Sequence, residues 1–356
     1  MDIGSVVAGR YEIRTAIGHG GMGQVWLAHD RSLERSVALK TMKPDINPDP
    51  GRAALEAKRF EREAMAVARL DHVGLAAVYD MGNDNGVRYL AMQYVQGLDL
   101  ADLIAENERL TVQQAASVGV QICSVLATAH AQQIIHRDLK PGNVRIRTDG
   151  MVKVLDFGAA AILDPGATKL TNPGSTAPGT WEYMAPEQIM GKPVTPRTDL
   201  YALGCLLHEM LCGKAPFRHS SSLMIPEMHR STPPPPLRLI EQTVPTALET
   251  LVLELLAKEP EDRPAHAGEV YRRLADYLPA PLPAEQALKP WAEADPCRPF
   301  TYPMAPGHDR CATGLLGGSD QRLSRRADQP DPRHRSTKIR RAAGAAPTRG
   351  GAAPRG

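Results

Sequence analysis

The chain has 356 residues, of which 42% are hydrophobic and 23% are charged, a composition typical of a folded, water-soluble protein. Its length exceeds the size at which a single hydrophobic core stops growing, so we expect two lobes or a domain with a tail. The formal net charge of +2 favours neither nucleic acid nor a membrane surface as a partner.

The charge is unevenly distributed along the chain. Residues 278–356 contain 13 Lys and Arg against 7 Asp and Glu. In this stretch Pro, Ala, Gly and Arg dominate and apolar periodicity is absent, so we predict a disordered tail over 278–356. A chain that ends near Pro283 is therefore expected to keep its fold and its melting temperature. The basic clusters of the tail could contact an acidic partner, but a solvated tail is the simpler interpretation.

The cysteine pattern indicates a reducing cellular compartment. Cys123, Cys205 and Cys212 lie in apolar helical runs, and with Cys297 and Cys311 they form neither a CxxC pair nor a metal-ligand spacing. Buried free thiols are the expected state of the first three. The sequence opens without a signal-peptide pattern, and we find no apolar run of the ~18 residues that a membrane helix requires. We therefore expect a cytoplasmic location.

Residues 11–40 predict strand, glycine turn, strand, turn and strand. Glycines cluster at 18, 20, 21 and 23, and such a run lets the backbone close over a triphosphate. A dinucleotide-binding turn can carry the same glycines but needs a helix directly afterwards. Here Val25-Trp26-Leu27-Ala28 follows, which is β-prone, and the next strand ends in Val37-Ala38-Leu39-Lys40. The pattern therefore favours a phosphate-covering loop between strands.

The middle of the chain alternates between predicted helices and strands. Residues 52–70 predict a charged amphipathic helix that carries Glu56, Glu61 and Glu63. Strands are predicted next over 76–80 and 88–94, and helices over 99–104 and 112–132. A hairpin follows, with strands over 144–147 and 152–155 around Asp149-Gly150. The Asp-Gly pair predicts a two-residue turn.

The strongest signal is a polar loop after an apolar run. Residues 134–143 read Ile-Ile-His-Arg-Asp-Leu-Lys-Pro-Gly-Asn, and Asp156-Phe157-Gly158 follows the hairpin. Such a grouping suits phosphoryl transfer, in which Asp138 accepts a hydroxyl proton and Lys140 meets the phosphate. Asn143 and Asp156 would supply oxygen ligands to Mg²⁺. Two ordinary turn sequences could fall together by chance, but the complete loop and its spacing argue against that.

These motifs together resemble those of the eukaryotic-like (Hanks-type) Ser/Thr protein kinases of bacteria. The resemblance spans 11–277 and includes Gly179-Thr180-Trp181-Glu182-Tyr183-Met184-Ala185-Pro186-Glu187, which is similar to the family's GTxxYxAPE segment. It implies an α+β, bilobal protein kinase fold, with a small β-rich lobe over about 11–94 and a larger helical lobe over about 95–277. ATP and Mg²⁺, or Mn²⁺, are the implied cofactors.

The resemblance also implies roles for individual residues. Lys40 would contact the α and β phosphates, and Glu63 would pair with Lys40. Thr171 and Thr176 are the leading phosphorylation candidates, ahead of Thr168 and Ser175, and Thr180 would lie at the peptide-docking site. Asp199 would accept hydrogen bonds from the catalytic loop, and Arg263 would pair with Glu187. The residues implied to bind the nucleotide are Ile17, Gly18, Gly20, Gly21, Gly23, Val25, Ala38, Lys40, Gln93, Val95 and Asp99.

Arg145 departs from the family pattern. The family usually places an aliphatic residue under the adenine ring at this position, and an arginine there would either stack its guanidinium on the base or point its stem inward. The resemblance otherwise implies transfer of the ATP γ-phosphate to Ser or Thr hydroxyls of protein substrates, because Lys140 is typical of Ser/Thr kinases. Self-association for autophosphorylation in trans is an expected property.

Two other classes of function share this fold. A kinase-fold scaffold without strong catalysis would be expected to have lost Lys40, Asp138 or Asp156, and all three are present. A small-molecule phosphotransferase would normally lack the peptide-docking segment, which is intact. A protein kinase is therefore the favoured function.

Overall fold

The computed structural model describes residues 1–20, 23–42, 65, 67–157, 181–281 and 294–301. A β-rich small lobe comes first and a larger helical lobe follows. The two-lobed arrangement therefore agrees with the architecture that the sequence predicts. Of the predicted helix over 52–70, Met65, Val67 and Ala68 are helical, and residues 52–64 lie outside the described residues.

The small lobe is an antiparallel sheet with strand order β1-β2-β3-β4-β6-β5. Alternate side chains of these strands point to one face and form a core that contains Tyr11, Ile13, Trp26 and Leu39. The strands are β1 (Val6–Val7), β2 (Tyr11–Gly20), β3 (Gly23–Asp30), β4 (Arg35–Met42), β5 (Val78–Asp84) and β6 (Val87–Gln93).

The sheet begins before the predicted boundary of the small lobe at residue 11. Strand β1 pairs with β2, and Val7 is 3% exposed. The β5–β6 hairpin turns at Asn85 and Gly86, which both have positive φ values of 50° and 81°. An Asn-Gly pair with this backbone is the preferred two-residue turn between antiparallel strands. Strands β5 and β6 therefore continue closer to the turn than the strands predicted over 76–80 and 88–94.

The large lobe is built around two helices that are buried along most of their length. Helix α2 begins with a capping box in which Thr111 and Gln114 each bond the other's backbone. Gly213 ends α4 with a φ of 75°, a conformation that favours glycine. The described helices are α1 (Leu100–Asn107), α2 (Val112–Ala131), α3 (Pro186–Ile189), α4 (Pro196–Cys212), α5 (Ile225–Ser231), α6 (Thr246–Leu255), α7 (Ala267–Ala275) and α8 (Arg298–Thr301).

Helix α2 is long and apolar enough to cross a membrane by length and composition, a property that the sequence analysis did not recognise. Eleven of its residues are buried in the large lobe, against α4 and α7 among others, so it serves as a core helix. Cys123 lies on its buried side, and Cys205 and Cys212 lie on α4. All three are free and buried, as predicted, and burial raises the pKa of each thiol.

A small three-stranded sheet lies between the segment that follows Gln93 and the loop that carries Asp138 and Asn143. Its strands β7 (Leu98–Asp99), β8 (Val144–Ile146) and β9 (Val152–Val154) are antiparallel. The connection between β8 and β9 differs from the predicted two-residue turn. Ile146 pairs with Val152, and the loop between them closes through hydrogen bonds from Arg147 N to Met151 O and from Gly150 N to Arg147 O. The Asp149 side chain is committed to Met151 N, which favours this wider loop.

Residues 294–301 pack on this hairpin, although they lie in the predicted disordered tail. Ala294 is 1% exposed, and Arg298 donates to Thr148 O at 3.2 Å. Phe300 packs against the core of the large lobe. A Cβ added to Gly150 would approach Asp295 O to 2.2 Å, so the two backbones meet closely. Composition predicted disorder for the tail as a whole, but Phe300 is one of its few aromatic side chains, which could dock a short stretch on the large lobe.

A truncated chain tests this docked segment. A chain that ends after Pro281 is expected to lose roughly 3–12 °C in Tm, because one large apolar side chain contributes about 1.5–3 kcal/mol when buried. A chain that ends after Thr301 is expected to melt like the full chain. Thermal unfolding gives the Tm of the full chain and of the two truncated chains for comparison. Equal Tm values would show that residues 294–301 add nothing and would restore the predicted boundary near 277.

A buried histidine in the large lobe gives a pH-dependent stability. His229 Nδ1 lies 2.8 Å from the hydroxyl of Tyr201, and its ring packs edge-on against Phe217. Lys258 Nζ donates to the backbone O of His229. Burial, together with the nearby positive charge of Lys258, lowers the pKa of His229 to about 3. Burial likewise lowers the pKa of Lys258 to about 8.

The unfolded chain therefore binds a proton at this imidazole below its ordinary pKa of about 6.5, whereas the folded chain does not until about pH 3. Stability should fall as the pH is lowered through this window, since the unfolded state binds more protons. His229→Gln is expected to flatten the Tm-against-pH curve between pH 6.5 and 4. His219→Gln, at an exposed position, is the matched control. Parallel curves for His229→Gln and the parent would refute the assignment.

Candidate active site

Three residues of the loop after α2 form one hydrogen-bonded cluster. Lys140 Nζ donates to Asp138 Oδ2 at 2.8 Å, and Asn143 Nδ2 donates to the same oxygen at 3.1 Å. Asn143 Nδ2 also donates to the backbone O of Asp138 at 2.7 Å. A short 3-10 turn over Pro141–Asn143 brings these side chains together. The carboxylate is thereby fixed beside an ammonium group, as phosphoryl transfer requires.

The large lobe holds this loop through Asp199. Its Oδ2 accepts from His136 N at 2.9 Å and its Oδ1 accepts from Arg137 N at 2.9 Å, which confirms the predicted role of Asp199. His130 contacts Asp199 Oδ2 at 2.8 Å. Gln188 Nε2 donates to Arg137 O at 2.9 Å. Arg137 has a φ of 66°, which is unfavourable for a non-glycine residue, and these contacts hold it there.

Asp156 joins the cluster from the end of the small sheet. Leu155 N donates to Asn143 O at 2.8 Å, which places Asp156 beside the catalytic loop. His136 Nε2 contacts Leu155 O at 2.9 Å, and its ring lies 4.5 Å from that of Phe157. Asp156 itself has a φ of 58°. Neighbouring contacts thus fix its backbone in a conformation that costs free energy.

Lys40 reaches Asp156 from the small lobe. Lys40 Nζ donates to Asp156 Oδ1 at 2.7 Å, across 116 positions of sequence. The lysine side chain is 12% exposed and the aspartate side chain is 31% exposed. The predicted partner of Lys40, Glu63, lies outside the described residues, so that pairing stays a prediction. Among the described residues, the structure links the predicted phosphate-binding lysine directly to the predicted metal-binding carboxylate.

The predicted nucleotide residues border the same cleft from the small-lobe sheet. Gly20 pairs with Gly23 across β2 and β3, and the turn between them lies outside the described residues, including Gly21. A Cβ on Gly23 would lie 1.9 Å from Thr41 O, so the close strand pairing requires glycine there. Gly18 pairs with Val25, Val25 with Lys40, and Ala38 with Met92. Ile17 is exposed on β2.

The chain between the lobes borders the other end of the cleft. Gln93 ends β6 and its N donates to Ala77 O at 2.8 Å, while Val95 is 4% exposed. Gly97 approaches β8 so closely that a Cβ would lie 2.0 Å from Ile146 O. The resemblance implies that Gln93 to Val95 form the hinge, the segment between the lobes that hydrogen-bonds adenine. The close approach of Gly97 to β8 holds this segment against the strand that follows Asn143.

Arg145 and Asp99 form an ion pair at this end. Arg145 Nη1 donates to Asp99 Oδ1 at 3.0 Å, and its Nη2 donates to Gly97 O. Burial raises the pKa of Asp99, and the nearby guanidinium partly offsets that shift. Neither orientation considered from sequence, stacking on the base or an inward stem, included this pairing of the guanidinium with Asp99 and Gly97 O. The family resemblance implies that Asp99 faces the ribose hydroxyls of the nucleotide, and its carboxylate is already bound to a side chain of this protein.

The predicted pair between Glu187 and Arg263 is confirmed. Two guanidinium nitrogens of Arg263 donate to the two carboxylate oxygens of Glu187, each at 2.8 Å. Thr198 donates to Glu187 Oε1 at 2.7 Å. Burial raises the pKa of the Glu187 carboxyl, but the Arg263 hydrogen bonds and charge outweigh it and the net pKa is lowered. This pair ties the segment after residue 180 to the large lobe.

Two oxygen donors, Asn143 and Asp156, fit a divalent cation held partly by the protein. Because Asn143 donates through Nδ2, its Oδ1 is the atom that would face a metal. Across the residues that the structure describes, no cluster of three or more His, Cys, Asp or Glu side chains could hold a metal ion. Mg²⁺ commonly takes one or two protein oxygens and completes its shell with substrate phosphates and water.

Several predicted residues lie outside the described residues: Gly21, Glu63, Thr168, Thr171, Ser175, Thr176 and Thr180. Other residues were missed by the sequence analysis. His130, His136 and Gln188 hold the catalytic loop, and Lys153 donates to Leu75 O at 2.7 Å beneath it. A polar residue inside an apolar run, such as His136 after Ile134-Ile135, was the signal available for one of them.

The protein kinase domain family matches residues 11–273. The chain belongs to this family, which confirms the predicted bilobal kinase fold. It is 37% identical over 273 residues to the probable serine/threonine-protein kinase PknB of Corynebacterium glutamicum, covering 74% of this chain and 42% of the relative. It is 38% identical over 263 residues to the serine/threonine-protein kinase PrkC of Bacillus subtilis, covering 74% and 40%.

A third relative is the serine/threonine-protein kinase PksC of Streptomyces coelicolor, 37% identical over 289 residues. That match covers 78% of this chain and 51% of the relative. The chain thus spans roughly two fifths to one half of the length of these curated relatives. The similarity to bacterial kinases agrees with the Hanks-type resemblance that the motifs indicated.

Proposed function

We propose that this chain transfers the γ-phosphate of ATP to serine or threonine hydroxyls of proteins in bacterial signalling, with Mg²⁺ or Mn²⁺ bound. The observation that carries the proposal is one continuous set of contacts. Asp138, Lys140 and Asn143 bond one another, Asn143 bonds the residue before Asp156, and Asp156 bonds Lys40. Membership of the family and the names of the relatives support this proposal.

Each residue has a chemical task in this proposal. Asp138 accepts the proton of the attacking hydroxyl, and Lys140, 2.8 Å from it, stabilises charge on the transferring phosphate. Lys40 turns from Asp156 to the α and β phosphates. Asn143 and Asp156 would hold Mg²⁺, which neutralises phosphate charge when bound. Glu63 would keep Lys40 in place, and Thr180 would border the substrate peptide.

The test is transfer of label from γ-labelled ATP and Mg²⁺. We expect label on the chain itself and on a generic basic protein, and none with Lys40→Met. Label on a small-molecule alcohol but on no protein would indicate a small-molecule phosphotransferase. No label despite measurable ATP binding would indicate the alternative, a catalytically weak kinase-fold scaffold.

Activation by phosphorylation is a further part of the proposal. Arg137 lies next to Asp138, and a phosphate carries about −1.5 to −2 charge that an arginine can pair with. Thr171 and Thr176 are the first candidates. Thr171→Ala/Thr176→Ala is expected to reduce phosphorylation of the basic protein severalfold, and mass spectrometry should find phosphate on residues 168–176 of the active parent. An unmodified segment in fully active protein would contradict it.

We also propose a cytoplasmic protein that self-associates for phosphorylation in trans and acts without nucleic acid or a membrane. Three buried free thiols support a reducing compartment. Mixing a Lys40→Met chain with active parent tests the trans reaction. Label on the Lys40→Met chain supports it, and label confined to the parent contradicts it.

A further inference from the structure

Arg145 points away from the core that its neighbours form. Val144 and Ile146 on either side are 0% exposed and pack in the large lobe. Side chains alternate along a strand, so Arg145 projects to the opposite face, where its side chain is 25% exposed. On that face it meets Asp99 and the carbonyl of Gly97. It therefore lies between the catalytic loop and the hinge.

The Arg145 guanidinium, through its pair with Asp99, lies where the sugar of a nucleotide would pass. The phosphate end of the cleft is marked by Lys40 and Asp156, and the base end by the hinge up to Val95. The ribose connects the two. Asp99 is the only carboxylate between Gln93 and the start of α1 at Leu100, and its side chain remains 34% exposed. Asp99 is thus the acidic group closest in sequence to the hinge.

The Asp99 carboxylate is already paired with the Arg145 guanidinium. A carboxylate that bonds a guanidinium has less capacity to accept from a sugar hydroxyl, and the attraction of its negative charge for that hydroxyl is offset by the adjacent positive charge. Gly97 O accepts from the same guanidinium, so Arg145 makes two hydrogen bonds here, one to Asp99 and one to Gly97. The pair is therefore held in place by both the hinge and β8.

We propose that Arg145 is a specificity-determining residue of the nucleotide cleft, which occupies Asp99 and makes the site indifferent to the ribose hydroxyls. The consequence is a kinase that binds 2′-deoxy-ATP and 3′-deoxy-ATP nearly as well as ATP. The inference rests on the proposed ATP-dependent function. It concerns a ratio of affinities, which does not depend on how tightly ATP itself is bound.

The experiment measures dissociation constants for ATP, 2′-deoxy-ATP and 3′-deoxy-ATP by calorimetry at pH 8 with Mg²⁺. For the parent we expect each deoxy-to-ATP ratio to lie within about twofold. Arg145→Met frees Asp99 to accept a hydroxyl, and a hydrogen bond to a charged group should raise at least one ratio about tenfold. Adding Asp99→Ala to Arg145→Met should return that ratio to the parent value.

The matched control is Arg147→Met. Arg147 lies on the same hairpin and pairs with Asp149 at 2.8 Å, but near the turn. It should leave all ratios unchanged. Asp99→Asn alone provides a test that keeps Arg145 and should also leave the ratios unchanged, because Asp99 does not read the ribose in the parent.

Two results would overturn the proposal. One is an Arg145→Met chain that binds ATP with the parent's ratios. The other is a parent that already prefers ATP about tenfold and loses the preference in Asp99→Asn. Failure of the proposed function has a different signature, which is that the parent transfers no label from ATP to protein, whatever the ratios of its dissociation constants.

Discussion

Asp138→Asn is expected to lower the rate of phosphate transfer by about 10²–10⁴-fold while leaving ATP affinity close to that of the parent. The asparagine has the same shape and can still meet Lys140 and Asn143, so the loop should keep its geometry. It lacks the basic oxygen that takes the hydroxyl proton. The loss should therefore fall on kcat rather than on ATP binding.

Single-turnover transfer to a basic protein and calorimetric ATP binding check this result together. Asp149→Asn is the matched control, because that carboxylate lies on the β8–β9 loop and is 38% exposed. The control should keep the parent rate. Transfer at the parent rate by Asp138→Asn would remove Asp138 from the reaction. Equal loss of ATP binding would show that the substitution disturbs the whole cleft.

Arg263→Met is expected to lower the free energy of unfolding by about 3–5 kcal/mol, the cost of leaving one partner of a buried ion pair alone. The Arg263 side chain is 0% exposed and that of Glu187 is 3% exposed, so solvent cannot compensate. Arg263 also donates to the carbonyls of Ala257 and Lys258. Those acceptors would lose their partner as well.

Urea unfolding measures this change, and Arg230→Met provides the comparison. Arg230 pairs with Glu227 at 3.0 Å on the surface, where both side chains are about half exposed. Exposed pairs contribute about 0–1 kcal/mol, so the control should be nearly neutral. Arg263→Met/Glu187→Met removes the stranded carboxylate and should recover part of the loss. A single Arg263→Met variant as stable as Arg230→Met would refute the assigned importance of the buried pair.

Short motifs predicted which residues of the catalytic loop lie together, because their spacing in sequence is short. Asp138, Lys140 and Asn143 lie within one loop, and a 3-10 turn of three residues suffices to bring them together. The glycine-rich turn between β2 and β3 was likewise predicted from residue type and spacing, whereas the role of Asp199 was implied by the family resemblance. The segments of the large lobe predicted over 99–104, 112–132, 144–147 and 152–155 agree with the observed helices and strands to within a few residues.

Contacts between distant segments were not predictable in the same way. The partner of Lys40 in the structure is Asp156, and that choice depends on how the lobes meet rather than on either motif. The pairing of Arg145 with Asp99 requires strands β7 and β8 to be adjacent, which no single stretch of sequence reveals. The Asn85-Gly86 turn was a local signal that the sequence analysis overlooked. The wider β8–β9 loop depends on a side-chain bond of Asp149 that competes with the tight turn.

The docked segment 294–301 also constrains the order in which the protein can fold. Its contacts with Ser117 and Thr148 span 180 and 150 positions of sequence. Contacts of such long range form late, because the intervening chain must first be ordered. During synthesis from the N-terminus, the β8–β9 hairpin therefore stays exposed to solvent until residues 294–301 have been made. Final consolidation of the strands that follow Asn143 and lead to Asp156 therefore requires residues 294–301 to have emerged.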